Sequence, residues 1–324
     1  MRVFKALCLT APLLLLLSGA PLGANLIINA TFDSATFATL SQSDRTTSQN
    51  TINAVIQAYQ NEILNSITVN INFKIDQTVL GSTLFTAYAI PYDTYRTNLS
   101  SHAVSADDFT ALAHLPAGAT LDPVTNQNKI EVKGPLARAL ALGNFQADNA
   151  SSDGTISLGS NAMNLSRTGT QVVTKFDLQS VVSHEINEVL GLGSSMGVGF
   201  PFVSPEDLFR YHGTSSTCAA VSGRSYTAST SETSCFSIDG ATGLARFNQS
   251  ASGDYGDWFS VNGSPKVQDA FATAGAQANN DIEWKALDVL GYSIVPTAVP
   301  EPGTGALFAV TLGLAGFWRR KRTV

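Results

Sequence analysis

His184-Glu185-Ile186-Asn187-Glu188-Val189-Leu190-Gly191 is the stretch on which the reading of this chain turns. Val182, Ile186, Val189 and Leu190 supply apolar anchoring at helical spacing, so the run belongs on a helix. One turn apart, His184 and Glu188 share a face, and Glu185 lies about 100° round from His184. An imidazole and a carboxylate placed this way can grip one metal ion, and the neighbouring glutamate can polarise a water on it. Burying three ionisable groups so close together is costly unless a divalent cation offsets the carboxylates. The plainer alternative is a solvated polar face with no chemistry.

Outward from the motif, the helix is expected to start near Asp177 and to end at Gly191 and Gly193. Upstream, Thr47 to Ser66 carries Ile52, Val55, Ile56, Tyr59 and Ile63 at helical spacing. Ile67 to Ile75 alternates apolar and polar residues, which predicts a strand with one buried face. Leu84 to Ile90 reads as a second strand stopped by Pro91. Ser105 caps a short helix through Leu115, Pro135 opens another to about Leu142, and Thr155 to Leu158 reads as a short edge strand. Downstream, Pro205 to Tyr211 is a turn or short helical segment. Short strands such as Cys235 to Ile238 and Leu244 to Phe247 follow among turns, and Asp281 to Leu290 is a closing helix. This order predicts an α+β fold. A small twisted mixed sheet packs on the motif helix, and an irregular C-terminal subdomain follows.

The ends point to export. Arg2 and Lys5 precede the apolar run Ala6 to Leu17, and small residues lead to Ala24, so residues 1–24 read as a secretory signal peptide. At the other end Pro300-Glu301-Pro302 precedes the apolar run Gly303 to Trp318 and the basic cluster Arg319-Arg320-Lys321-Arg322. This trio resembles the PEP-CTERM sorting signal of Gram-negative bacteria, placing a transmembrane segment and sorting signal at 296–324 and the globular domain at 25–295. The resemblance implies export to the cell envelope, handling by the secretion machinery and an exosortase, and a transient or permanent membrane anchor. The formal net charge is -6, with no basic patch before the tail, which argues against nucleic-acid partners. Cys218 and Cys235 are expected to form a disulfide in an oxidising compartment.

Extended, the motif reads His184-Glu185-x-x-Glu188-x-x-Gly191-x-x-Ser194. It is similar to the metzincin (zincin) pattern HExxHxxGxxH, with Glu188 at the second ligand position and Ser194 at the third. A carboxylate is an ordinary zinc ligand, whereas a neutral serine is a poor one. The third ligand is therefore sought downstream, in Asp207 first, His212 second and Glu206 third. The motif, the segment Asp207-Leu208-Phe209-Arg210-Tyr211 and the sorting tail together resemble a group of exported bacterial metalloproteases. The resemblance implies a protein or peptide substrate; the motif's own chemistry points to Zn2+ and to Glu185 as general base, and residue type alone offers Tyr211 or Arg210 as a stabiliser of the transition state. Asp239, Asp254 and Asp257 sit among glycines, where Ca2+ binding competes with plain turns. The alternative function is a non-enzymatic envelope or biofilm-matrix protein with a protease-like fold.

Overall fold

A computed structural model describes residues 25–143, 145, 152–260 and 264–295. The expected signal peptide and sorting segment lie outside these residues. The chain opens on strand β1 (Ile27–Phe32), a short helix α1 (Ser34–Phe37) and the long helix α2 (Gln42–Glu62). Helix α2 begins earlier than its apolar periodicity predicts, because Ser41 caps it by accepting from the Asp44 amide at 3.1 Å. Strand β2 (Thr68–Ile75) then runs parallel to β1 and buries Val69, Ile71, Phe73 and Ile75, as its alternation predicts.

The segment expected as one strand over Leu84 to Ile90 is broken at Thr86. Its halves are β3 (Gly81–Phe85) and β4 (Ala87–Pro91), which join different sheets. Helix α3 (Tyr92–His102), absent from the sequence reading, follows. Its polar composition hides three inward residues, Tyr92, Tyr95 and Leu99. Helix α4 (Ala106–Ala113) has a full capping box between Ser105 and Asp108. Strand β5 (Lys129–Lys133) pairs antiparallel with β4, and α5 (Gly134–Ala139) starts with Pro135 in its first turn.

Strand β6 (Gly154–Leu158) corrects a second expectation. It is central, not an edge: it pairs parallel with β2 on one side and antiparallel with β3 on the other, so the main sheet runs β1-β2-β6-β3. Strand β3 is the edge. The two-residue strands β7 (Met163–Asn164) and β8 (Phe176–Asp177) lead into the motif helix α6 (Leu178–Leu190). After a 3₁₀ turn (Glu206–Phe209) come β9 (Arg210–Gly213), β10 (Val221–Arg224), β11 (Ser234–Phe236) and β12 (Ala245–Arg246), a small sheet in the order β10-β9-β11-β12. Helix α7 (Ile282–Leu290) closes the described chain. The Cys218–Cys235 disulfide ties the β9–β10 loop region to β11.

The whole is a mixed α+β structure with several small sheets. One apolar cluster runs from Leu26 to Tyr292, and α6 lies inside it with Val182, Ile186, Val189 and Leu190 fully buried. Among the described residues no helix is long and apolar enough to cross a membrane.

Candidate metal centre

Helix α6 is fixed at both ends and along one side. At its start Asp177 Oδ2 accepts from the Ser180 amide at 2.9 Å, and Arg167 pairs with the same carboxylate at 2.6 Å. At its end Gly191 adopts φ 149°, a conformation that L side chains rarely adopt. The last carbonyls find side-chain donors: Lys133 Nζ donates to Glu188 O at 2.7 Å and to Leu192 O at 2.5 Å, and Tyr292 Oη donates to Leu190 O at 2.7 Å. Midway, Tyr59 Oη stands 2.6 Å from Asn187 Oδ1 and receives a bond from Asn280 Nδ2 at 2.7 Å. The motif side chains therefore project from a rigid support.

Three of them meet. Ligand atoms of His184, Glu188 and Asp257 all lie within 4.8 Å of one another. His184 Nε2 is 3.7 Å from Glu188 Oε1 and 3.7 Å from Asp257 Oδ2. His184 Nδ1 lies 3.0 Å from the Val267 carbonyl. A carbonyl only accepts, so this bond puts a proton on Nδ1 and points Nε2 at the carboxylates. Gln268 Nε2 holds Asp257 Oδ1 at 3.0 Å, leaving Oδ2 for His184. Donors about 2.0–2.2 Å from a tetrahedral zinc stand roughly 3.4 Å apart, so the spacing and the nitrogen–oxygen donor set fit that ion.

The three groups set one another's ionisation. Burial opposes charge on His184, but Asp257, Glu188 and Glu185 outweigh it and hold the imidazole well above its ordinary pKa. Burial likewise pushes the Asp257 carboxyl up, against the pull of His184. For Glu188 burial raises the pKa, but the neighbouring His184 imidazole, with the charge of Lys133 behind, overcomes it and lowers its pKa.

Asp207, the expected third ligand, is not part of this group. It is buried, and its oxygens are committed elsewhere. Oδ1 accepts from Ser194 Oγ at 2.6 Å, and Oδ2 accepts from the amides of Ser195 and Ser204 at 3.0 and 3.1 Å. His212 faces away on β9 and pairs with the exposed Glu232 at 3.2 Å. Glu206 accepts from the Gly193 amide. Tyr211 clusters with Cys218, Val221 and Cys235, and the Arg210 side chain is sealed against Phe247, so neither faces the metal group. Asp257 arrives because Gly256 packs on the backbone of Gly193 and Ser194, where a Cβ would overlap it. Its only sequence signal was an aspartate between glycines and an aromatic, read as a calcium candidate. Of the other two, Asp239 takes the amides of Ala241 and Thr242 in a turn, and Asp254 is exposed at the mouth of the groove beside α6.

A groove of about 550 Å³ runs along α6. Its walls include Gly81, Thr83 and Phe85 of β3, Val181 and Glu188 of α6, and Val267. Glu185 stands inside it at 4% exposure. Thr83 Oγ1 donates to its Oε2 at 2.6 Å, and Gly81 leaves the space that its Oε1 fills. Burial, reinforced by the charge of Glu188, raises its pKa.

Residues 298–322 match the PEP-CTERM protein-sorting motif. The chain thus carries the mark of exported proteins that an exosortase sorts to the cell surface. No curated protein and no solved structure matches the chain.

Proposed function

We propose that this chain is an exported zinc-dependent endopeptidase of metzincin-like build, in which His184, Glu188 and Asp257 hold the ion and Glu185 is the general base. The observation that carries the reading is the convergence of His184 Nε2, Glu188 Oε1 and Asp257 Oδ2 beside Glu185 in an open groove. One imidazole and two carboxylates make a donor set that zinc accepts, with room left for water or substrate. Bound zinc would supply a Lewis acid and a water whose pKa falls towards about 7. Glu185, tethered by Thr83 and shifted upward by burial, suits a group that takes a proton from water and returns it to the leaving amine.

A peptide is favoured over other substrates by the edge strand. Among the described residues of the main sheet β3 pairs only with β6, and its residues line the groove next to Glu185. An extended peptide can bind such an edge by main-chain hydrogen bonds.

The test uses the purified secreted chain. One zinc per chain and cleavage of unstructured peptides are expected, with Glu185→Ala keeping the zinc and losing the cleavage. Activity on polysaccharides but not on peptides would move the same centre to another bond. Protein that takes up no zinc would favour the non-enzymatic envelope role instead.

A further inference from the structure

The segment Pro205 to Arg210 supplies no ligand, yet its side chains bind both segments that must meet at the metal group. On one side Asp207 holds the turn that follows α6. Its Oδ1 accepts from Ser194 Oγ at 2.6 Å and its Oδ2 from the Ser195 amide at 3.0 Å. On the other side Arg210 Nη2 donates to the carbonyl of Tyr255, two residues before Asp257. Asp207 Oδ1 and Arg210 Nε, 3.4 Å apart, join the two halves. Neither can turn to solvent: Arg210 is 0% exposed, with its guanidinium 3.8 Å from the centre of the Phe247 ring.

The arrangement matters because the ligands differ in support. His184 and Glu188 ride on one helix, and their separation is fixed by helical geometry. Asp257 lies in a stretch whose sheet contacts, among the described residues, are isolated bridges such as Phe247 with Trp258 and Trp258 with Asp269. Its distance from α6 is set by side-chain ties and by the contact of Gly256 with Gly193 and Ser194. We propose that Asp207 and Arg210 are positioning residues, a buried bracket that holds the Asp257 loop against the end of the motif helix at metal-binding distance. This rests on the metal-centre reading above.

The experiment measures zinc affinity of the full secreted chain by competition with a chromophoric chelator, and the visible absorption of its cobalt(II) form. Asp207→Asn and Arg210→Lys are expected to weaken zinc binding about 10- to 100-fold, as outer-shell changes do, and to alter the cobalt bands. Asp108→Asn, which loses a buried capping carboxylate at α4, is the control for simple destabilisation. It should lower the melting temperature and leave both metal readouts in place. Should either bracket variant fail to fold, Ser194→Ala removes a single bond to Asp207 and should shift zinc affinity in the same direction by less. Wild-type zinc affinity and cobalt spectrum in a folded bracket variant, or in Ser194→Ala, would overturn the proposal. Equal metal loss in Asp108→Asn would do the same. A wild-type chain that binds no zinc would overturn the metal centre itself, and the bracket with it.

Discussion

Thr83 Oγ1 donates to Glu185 Oε2 at 2.6 Å from a strand whose Gly81 leaves no room for a side chain on the same face. The edge strand therefore sets the position of the carboxylate as well as bordering the groove. If the proposed function holds, Thr83→Val should cut kcat while leaving the zinc content of the wild type, because it removes the orienting bond and no ligand. Gly81→Ala should cost more, since a Cβ there overlaps Glu185 Oε1. General-base catalysis is worth about 10²- to 10⁴-fold, so the loss should fall within that range. Parallel zinc analysis and peptide kinetics on the two variants check this. A loss of zinc instead would mean that the strand supports the ligands rather than the base.

Asp257→Ala tests the proposed role of Asp257 as a zinc ligand. Zinc affinity should fall by more than the roughly 10- to 100-fold typical of an outer-shell change. His212→Ala should change nothing, because His212 pairs with exposed Glu232 on the far sheet. Titration of both variants with a zinc indicator is sufficient. Normal zinc binding by Asp257→Ala would remove the aspartate from the site.

What could be read in the sequence follows from how local each feature is. The spacing of His184 and Glu188 is a property of any helix, and Asp177 and Gly191 bound that helix in the sequence itself. The alternation of β2 and the capping box of α4 are local too. The proximity of Asp207 to the motif makes it a natural candidate ligand from sequence. It does return to the end of α6, but its oxygens are used by Ser194, Ser195 and Ser204. Asp257 depends on a backbone contact between Gly256 and Gly193, which no local pattern encodes. The central position of β6 is likewise a matter of long-range pairing, and α3 is too polar to show its buried tyrosines.

The disulfide offers a stability test independent of the metal. Cys218 and Cys235 close a loop with a sequence separation of 17. A loop of about this size is worth roughly 3 kcal/mol by restriction of the unfolded chain. A Cys218→Ala/Cys235→Ala double variant should lose about that much in denaturant unfolding. Its zinc affinity should hold, because the bridge serves the β9–β11 sheet and contacts no ligand. Coupled loss of zinc would show that this sheet supports the Asp257 loop more closely than its contacts suggest.

Glu206 should make the protein less stable as pH rises. Its side chain is buried, with Oε2 accepting from the Gly193 amide and Oε1 without a partner among the described residues. Burial pushes its pKa from 4.5 to about 8, and the nearby Asp207 adds to the effect. In the unfolded chain the carboxyl loses its proton near its ordinary value. The folded chain keeps the proton until about pH 8, so over this window the unfolded state binds fewer protons. The contribution is fully present below the ordinary carboxylate pKa and is lost as pH climbs through about 8. Glu206→Gln keeps an oxygen for the Gly193 amide and cannot ionise. Its melting temperature should therefore fall less steeply than that of the wild type between pH 5 and 8, and exceed it at the alkaline end. Melting curves of the metal-free forms across that range measure the difference. Identical slopes would mean that Glu206 is ionised in the folded protein and finds its counter-charge in Arg210.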